Sequence, residues 1–292
     1  MTLLDARPIA SVKRSKRLID HIEQTFILAC REDTTALEHA LRRSGIESEV
    51  LRQAYRPEYA EYSRSFLCLL NHRHAWELAS CAQKPTLILE ADFVPVTNFG
   101  KLPVPFDPSK SNLGIAWLYT CAPQVYRIVK GGYATGYSTS MVAYVVSPRS
   151  ARFLMQVADE IAQNPGPREY TPWDSGLDYS LREHGFTNYV PFRNYGEHGG
   201  LPNPEHRKNK LSTTHRADVL YGPLSFQPFY AREDGVGKPN LQKYLQGRCY
   251  GRVKGLGRLV LGKYLRPPVL KSAEQPLPLA WFALRRQLTF WL

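Results

Sequence analysis

A short apolar run that ends in two carboxylates is the feature that most constrains how this chain folds. Residues 87–89, Leu-Ile-Leu, are uninterrupted, too short for a typical helix, and followed by Glu90 and Asp92. Such a run is typical of a strand that is covered on both faces of an α/β sheet. These sheets bind ligands beyond the carboxyl ends of their strands, so both acids are candidates for holding a metal-bridged phosphate. On this triplet alone, a role in capping a turn or a helix stays open.

The composition indicates a globular protein with one large domain, or one domain with an appendage. The chain has 292 residues, of which 43% are hydrophobic and 22% are charged. Its five cysteines are scattered without Cys-x-x-Cys spacing, so neither a disulfide framework nor a zinc ribbon is indicated, and a reducing cytosol fits best. Residues 1–24 lack the apolar core of a secretory signal, and no run is long enough to span a bilayer. We therefore expect a cytoplasmic protein.

The positive charge is concentrated near the C-terminus. Residues 238–292 contain eleven Lys or Arg against the single acid Glu274, so this segment carries +10 of the formal charge of +12. Aromatic residues are interleaved with these cations, which suits the interface of an anionic membrane. A solvated basic extension is the alternative, and nucleic-acid binding is the less favoured rival. The chain thus divides into a basic arm, 1–23, a main domain, 24–237, and a basic aromatic extension, 238–292.

The first third of the chain has the pattern of a β-α-β unit followed by a longer helix. Thr35 and Glu38 form a capping-box pattern, and Gly45 ends the helix that follows. The longer helix carries His72, whose ordinary role within an apolar helix is structural. The elements in this part are a strand at 25–29, a helix from 35 to 44, a strand at 46–51 and a helix from 65 to 82.

The middle of the chain alternates strands with a glycine-rich segment. Gly132 and Gly136 belong to the segment 131–137, which we expect to be a flexible loop able to lie close to a ligand. Ser147 and Pro148 are typical of a helix start, and this helix continues to about residue 163. Strands are predicted at 114–119, 125–129 and 141–146, and residues 93–108 have the composition of irregular structure.

Two acids and two histidines in the following third are candidates for chemistry. Asp174 and Asp178 lie one turn apart on a short helix between residues 171 and 185, beside a stripe of core positions. His198 is flanked by glycines that allow close approach to a metal ion or a diphosphate, and His206 is the runner-up. Both histidines lie in a polar loop, 193–206, too long to be a mere connector, and a plain surface role for them stays open.

Four short motifs stand in an order that resembles a known family. They are Cys68-Leu69-Leu70-Asn71-His72 with Trp76-Glu77, then Leu89-Glu90-Ala91-Asp92, then Ala143-Tyr144-Val145-Val146-Ser147 running into a helix through Ala151, and finally Pro172-Trp173-Asp174. In this order they resemble family 25 of the glycosyltransferases, which includes lipopolysaccharide-core sugar transferases and collagen galactosyltransferases. The resemblance covers roughly residues 24 to 200. Asn71 replaces the family's usual Ser, and Ala91 replaces its usual middle acid.

The resemblance implies a GT-A-like fold, an α/β architecture with a mixed, mostly parallel central sheet flanked by helices. It also implies a nucleotide-sugar donor, UDP-galactose or UDP-glucose, and a divalent metal, usually manganese, between the acids and the diphosphate. Asp92 is then the direct ligand, and Glu90 contacts the metal, a water or the ribose. His198, outside the four motifs, stays a candidate for a further metal or diphosphate contact because of its flanking glycines. His72 moves toward the donor pocket, where Gly132 and Gly136 are further candidates. The family's acceptors, lipopolysaccharide core or lipid-linked saccharides, favour a peripheral position on the inner face of a membrane.

An inverting transferase needs a base that takes the proton from the attacking hydroxyl. Asp174 matches the family's motif and is the first candidate, and Asp178 is the second. Thr171 and Asp174 also form a capping pattern, however, and Asp178 is placed to pair with Arg182 four residues on. The departures at Asn71 and Ala91 keep open an alternative of another class: a catalytically silent glycan- or nucleotide-binding protein with the same fold.

Overall fold

The computed structural model describes residues 17–121, 123–129, 132–235, 237–260 and 274–289. Most of the predicted basic arm, Gly131 of the glycine-rich segment and part of the C-terminal extension lie outside these residues. Within them, the chain forms one sheet of eight strands in the order β2-β1-β3-β8-β5-β9-β7-β6 and a second sheet of two strands, β10 and β4. The strands are β1 Gln24–Ala29, β2 Glu49–Arg52, β3 Thr86–Glu90, β4 Phe93–Pro95, β5 Leu113–Trp117, β6 Gln124–Val129, β7 Tyr133–Tyr137, β8 Ala143–Val146, β9 Thr187–Pro191 and β10 Gly196–His198.

Helices flank the large sheet, and three of its strands, β1, β2 and β8, are each followed by an α-helix before the next strand. They are α1 Thr35–Arg43, α2 Arg64–Ser80, α3 Pro148–Gln163, α4 Leu177–Glu183, α5 Pro204–Lys208, α6 Leu241–Val260 and, last, α7 Pro276–Gln287. Strands β1, β2, β3, β5, β6 and β9 run in one direction, and only β8 and β7 oppose them. The predicted fold class, an α/β architecture with a mixed, mostly parallel sheet flanked by helices, is confirmed.

Strand β3 lies at the centre of this architecture because its side chains face two separate cores. Ile88 belongs to the apolar cluster that contains Trp76 of α2, whereas Leu87 and Leu89 belong to the cluster that contains Leu37 of α1. All three β3 residues are fully buried. The continuous apolar run at 87–89 is therefore explained by burial on both faces, as the sequence predicts.

The entry to α1 differs from the predicted capping box. Thr35 is the first helical residue rather than the cap, and its backbone N–H and hydroxyl donate to Asp33 Oδ1 over 3.0 and 2.6 Å. Glu38 accepts a hydrogen bond from the hydroxyl of Thr34 over 2.7 Å. The prediction was wrong by one residue because the side chain of Asp33, two residues before the helix, closes the turn as an Asx motif.

Residues 133–137 of the glycine-rich segment form strand β7, which corrects the prediction of a flexible loop there. Gly136 lies within β7 and pairs with Val125 of β6, and a Cβ at this position would approach the carbonyl oxygen of Gln124 to 2.1 Å. Gly132 has a φ of +89° directly before β7. These glycines are thus explained by close strand pairing and by the turn of a hairpin at the edge of the sheet.

The C-terminal segment packs its arginines into the main domain. Arg286 of α7 is fully buried and donates to the carboxylate of Asp218 from Nε over 3.1 Å and from Nη2 over 2.7 Å. Arg248 of α6 is also fully buried and forms an ion pair with Glu197, which precedes His198. No helix among the described residues has the length and hydrophobicity that crossing a membrane requires. Part of the basic charge at 238–292 therefore stabilises the fold.

Replacement of Asp218 tests whether this buried pair holds α7 on the domain. Asp218→Asn keeps the size of the side chain but leaves the guanidinium of Arg286 without its counter-charge, which costs about 3–5 kcal/mol for a buried pair. We expect urea denaturation to show a loss of this size in the free energy of unfolding. The exposed Glu160→Gln on α3 is the matched control, with a change within about 0.5 kcal/mol. Equal stability of the two variants would contradict the structural role of Asp218.

Candidate active site

The two acids lie at the carboxyl end of β3, held by backbone hydrogen bonds on both sides. The N–H of Glu90 donates to Val142 O over 2.8 Å, and the N–H of Ala91 donates to Leu28 O over 2.9 Å. Glu90 is the last residue of the strand, and Asp92 lies two residues beyond it. Ala91 is buried, so the middle position of the triplet faces the apolar core. The first and third positions are left to face the same open edge of the sheet.

The small antiparallel sheet brings a histidine to the second acid. β4, directly after Asp92, pairs with β10 so that Phe93 lies opposite His198. The Nε2 atom of His198 is consequently 2.9 Å from Asp92 Oδ2, although the two residues are 106 positions apart in the chain. Ligand atoms of Glu90, Asp92 and His198 all lie within 4.8 Å of one another. The structure thus brings together three of the residues singled out in the sequence.

Glycines beside His198 make this approach possible. A Cβ on Gly200 would lie 2.3 Å from Asp92 Oδ2 and 2.9 Å from His198 Nε2. A Cβ on Gly199 would lie 2.8 Å from the backbone oxygen of Asp92, to which the Gly199 N–H donates over 2.8 Å. Any larger residue at Gly200 would therefore separate the imidazole from the carboxylate.

The carboxylate oxygens and the ring nitrogen of this cluster are suitable ligands for a divalent cation. Asp92 Oδ1 and His198 Nδ1 are both buried, and neither has a hydrogen-bond partner among the described residues. Such unpaired buried atoms are costly, and a cation would satisfy the carboxylate oxygen. Two carboxylates and an imidazole are ligands that Mn²⁺ accepts, and phosphate oxygens and waters ordinarily complete such a shell. Glu90, Asp92 and His198 therefore fit a divalent metal.

Asp92 and His198 form an ion pair in the absence of a cation. Burial opposes ionisation of Asp92, but the charge and hydrogen bond of His198 and the charge of Arg216 hold the pKa of Asp92 below its ordinary value. Burial likewise opposes the charged imidazole, yet the charge and hydrogen bond of Asp92 raise the pKa of His198. Each side chain thus favours the charged form of the other, which holds the imidazole and the carboxylate together at the end of β3.

A buried relay fixes the orientation of Glu90 from behind. Trp76 Nε1 donates to the hydroxyl of Tyr144 over 2.9 Å, and that hydroxyl lies 2.7 Å from His72 Nδ1. The hydroxyl is therefore left to donate to Nδ1, and His72 Nε2–H points at Glu90 Oε1, 3.2 Å away. Cys68, whose pKa is raised by burial and by the charge of Glu90, stays a thiol and donates to the same oxygen over 3.7 Å.

The sequence singled out His72 but missed the role of its partners. His72 is fully buried, so it positions Glu90 rather than presenting itself to solvent. Cys68 and His72 lie four residues apart on α2, a spacing that places them on one helix face and was a usable signal. Tyr144 comes from β8, on another part of the chain, and only the sheet order reveals its contact with α2.

Asp174 lies at this cluster because a neighbouring tryptophan anchors it. Trp173 packs against the ring of His72 with centroids 5.2 Å apart, and its Nε1 donates to Ser65 O over 3.1 Å. Burial, and then the charge of Glu90, raise the pKa of Asp174 to about 7. A carboxyl group with this pKa is suited to accept a proton near neutral pH. Its position stays compatible with the predicted role of base.

Asp178 is engaged in the fold instead. Its Oδ2 accepts hydrogen bonds from Tyr126 over 2.7 Å and from Arg182 over 3.0 Å, and its Oδ1 accepts one from Asn188 over 2.9 Å. The side chain is 3% exposed. A carboxylate with three donors and almost no access to solvent is a poor base, so the alternative pairing with Arg182 describes Asp178 better than the catalytic prediction does.

The contacts described for the remaining candidates, His206, Gly132 and Gly136, involve residues other than Glu90 and Asp92. Among the described residues, the cluster with Glu90 and Asp92 contains His198 but not His206, which is half-buried and bonded through Nδ1 to Ser212 O over 3.1 Å. Gly132 and Gly136 belong to the β6–β7 hairpin described above. Their contacts are structural, and we do not carry them forward as ligand-binding residues.

Comparison with known proteins finds partial backbone similarity to solved structures. No family model matches the chain, and no curated protein matches it. One similar structure is a glycosyltransferase involved in the glycosylation of the major capsid of PBCV-1, with 17% identity over 57% of this chain and 81% of that chain and a TM-score of 0.38. Another is a Drosophila beta-1,4-galactosyltransferase 7 variant in complex with manganese, UDP-Gal and xylobiose, with 14% identity over 66% and 76% and a TM-score of 0.36. At these TM-scores the likeness concerns part of the backbone arrangement and says nothing of the site residues.

We expect substitution of Asp174 and substitution of Asp178 to change the stability of the fold in opposite directions. The folded-state pKa of Asp174 is about 7 against an ordinary value of 3.8. At pH values between these two, the folded protein therefore keeps a proton that the unfolded chain has released. Stability therefore falls as pH rises from about 4 to about 7 and then levels off. We expect Asp174→Asn to remove this loss and to raise the free energy of unfolding at pH 8, by up to about 4 kcal/mol, with a smaller gain at pH 5.

Asp178→Asn is the matched comparison, because it weakens three hydrogen bonds and should lower stability at both pH values. Chemical denaturation in EDTA at pH 5 and pH 8 measures both variants. Destabilisation by Asp174→Asn at pH 8 would show that the Asp174 carboxylate is paired in the fold and would exclude the raised pKa.

Proposed function

We propose that this protein is a metal-dependent glycosyltransferase that moves a hexose from UDP-galactose or UDP-glucose to a glycan acceptor by inverting displacement. The observation that carries the proposal is the cluster of Glu90, Asp92 and His198 at the end of β3. Within it, Asp92 Oδ1 and His198 Nδ1 are buried and have no hydrogen-bond partner among the described residues. The four-motif resemblance supports the same reaction class from the sequence. The acceptor we favour is a lipopolysaccharide core or a lipid-linked saccharide, met at the inner face of a membrane.

Asp92 and His198 would hold the metal ion, with Glu90 as the further contact. The ion supplies the positive charge that stabilises a departing nucleoside diphosphate. Manganese suits a site with both carboxylate and imidazole ligands. The protein's own contribution is orientation: Gly200 leaves room for Asp92 and His198 to meet, and the relay through Tyr144 and His72 keeps one oxygen of Glu90 in place.

Asp174 is the residue that we assign to take the proton from the acceptor hydroxyl. Its raised pKa, about 7, means that the carboxylate is available at neutral pH and is a stronger base than an exposed aspartate. The contacts of Trp173 with His72 fix the Asp174 backbone beside the acid cluster. The acceptor oxygen and the donor sugar would then meet between Asp174 and the metal ligands, which is the proximity that displacement requires.

The exposed face of α6 supports attachment to an anionic membrane. Five apolar side chains of this helix are exposed, at intervals of four, eight, three and four residues: Leu241 64%, Leu245 48%, Val253 62%, Leu256 40% and Val260 79%. The buried side of the helix packs on the domain through Arg248, Gly251, Arg252 and Gly255. Trp281 of α7, 66% exposed, is a residue type enriched at membrane interfaces. An apolar stripe flanked by Lys243, Lys254 and Arg258 suits an anionic lipid surface.

Release of UDP from UDP-galactose and UDP-glucose tests the reaction. We expect turnover by the wild-type protein to need Mn²⁺ and to be lost with EDTA. Asp92→Asn should lower it at least about 100-fold, because a metal ligand that stabilises charge contributes several kcal/mol. Asp159→Asn on α3 is the control that keeps turnover. Unchanged turnover in Asp92→Asn would exclude the metal role, and Mn²⁺-dependent UDP binding without sugar transfer to any acceptor would establish the silent binder instead.

Sedimentation with anionic vesicles tests the membrane assignment. Leu245→Ser removes one apolar side chain from the α6 stripe, and we expect a roughly tenfold weaker partition into phosphatidylserine-containing vesicles. Leu211→Ser is the matched control, because Leu211 is 45% exposed and lies outside α6. Equal recovery of the two variants with the vesicles, or no recovery of the wild-type protein, would overturn attachment through this face.

A further inference from the structure

A cationic cavity of about 730 Å³ lies beside the candidate active site. It is bounded by α6, by the segment after β10 and by residues near Tyr230. Arg216, Arg232 and Lys243 contribute three cations to its lining, and Tyr230 and Tyr250 contribute two aromatic rings. No acid is among the lining residues in the described part of the chain. The proposed chemistry at Glu90 and Asp92 does not use this cavity.

Arg216 connects the cavity to the metal candidate. Its Nη1 donates to His198 O and its Nη2 to Gly200 O, each over 3.1 Å. The side chain is only 6% exposed, so its position is fixed by the backbone that also carries the imidazole of His198. Its Nε is buried and has no hydrogen-bond partner. The Arg216 guanidinium therefore places a fixed positive charge at the wall of the cavity.

Two more donors without partners line the same cavity. The Tyr230 hydroxyl and Arg232 Nε are buried and unpartnered, as Arg216 Nε is. The Tyr230 ring is held between the Arg216 guanidinium, 3.8 Å from its centroid, and Gly247 of α6, where a Cβ would lie 2.3 Å from Cε2. Burial, and then the charge of Glu197, raise the pKa of Tyr230, so its hydroxyl stays protonated and can donate.

We propose that this cavity binds the phosphate or carboxylate group of an anionic saccharide acceptor. This inference rests on the proposed function, since it names the class of acceptor for the same reaction. Arg216 and Arg232 supply N–H donors of the kind that pair with phosphate and carboxylate oxygens, and Tyr230 adds a neutral donor. The Tyr250 side chain, 40% exposed at the cavity wall, gives a surface on which a sugar ring packs.

Helix α6 contributes residues both to this cavity and to the face proposed to contact the membrane. Lys243 and Tyr250 line the cavity, whereas Leu245 and Val253 of the same helix face outward. Lys243 Nζ also donates to Arg232 O over 3.4 Å, which ties the helix to the opposite wall. For an anionic saccharide attached to a lipid, α6 would offer a cation to the charged group and an apolar face to the lipid.

Isothermal titration of the full chain with glucose 6-phosphate, glucuronate and neutral glucose, in EDTA and without nucleotide, tests the proposal. We expect the two anionic sugars to bind and glucose to bind at least tenfold more weakly. Arg232→Gln and Tyr230→Phe should each weaken binding of the anionic sugars, the former about tenfold or more, as expected for a hydrogen bond to a charged group. Arg43→Gln, at the exposed end of α1, is the matched control and should leave the affinity unchanged.

Lys243→Gln, on the exposed surface of α6, provides a second variant if Arg232→Gln lowers the melting temperature. Equal affinity for glucose and glucose 6-phosphate, or unchanged affinity in both Arg232→Gln and Lys243→Gln, would overturn the proposal. Displacement of the anionic sugar by saturating UDP with Mn²⁺ would also overturn it, because the cavity would then belong to the donor. Failure of the transferase assignment is distinguishable, since it removes Mn²⁺-dependent UDP release but not sugar binding in EDTA.

Discussion

The contact between Asp92 and His198 is the constraint on which the site depends. It exists because β4 turns back from the end of β3 and pairs with β10, and because Gly199 and Gly200 let the backbones approach. Without this second, two-stranded sheet, Asp92 would be an isolated acid after a strand, for which capping is a sufficient explanation. The pairing turns two distant segments into a single set of ligand atoms.

Buried arginines then hold the segment after β9 against the sheet. Arg216 donates to the carbonyls on either side of Gly199, Arg248 pairs with Glu197, and Arg286 pairs with Asp218. Each of these cations is nearly or fully buried, so each needs its partner. Arg248 and Arg286 of the segment 238–292 are therefore used inside the fold, whereas Lys243, Lys254 and Arg258 of α6 are not buried. A net charge counted from sequence does not separate them.

The sequence predicted the elements whose signal is local and continuous. The apolar run of β3, the Ser147 cap with Pro148 at the start of α3 and the core stripe through Trp173, Leu177 and Leu181 were all confirmed. Each depends on burial or on a cap within a few residues. The spacing of Glu90 and Asp92 likewise predicted two acids at one edge of the sheet.

Features that depend on distant pairing were not predictable in this way. The segment with Gly132 and Gly136 has the composition of a loop, but the approach of Gln124 makes glycine necessary at position 136 within β7. The engagement of Asp178 by Tyr126 and Asn188 was not visible in the sequence, because these two residues, which donate hydrogen bonds to its carboxylate, lie in strands β6 and β9. The contact of His198 with Asp92, and that of Tyr144 with His72, arise from sheet order rather than from sequence spacing.

Anomalous diffraction at the manganese edge, from crystals grown with Mn²⁺ and UDP, tests the central claim most directly. The account predicts one ion within coordination distance of Asp92 and His198, bridged to the diphosphate, with the hydrogen bond between these two side chains broken. A bound UDP whose ion lies elsewhere, with His198 still hydrogen-bonded to Asp92, would contradict it.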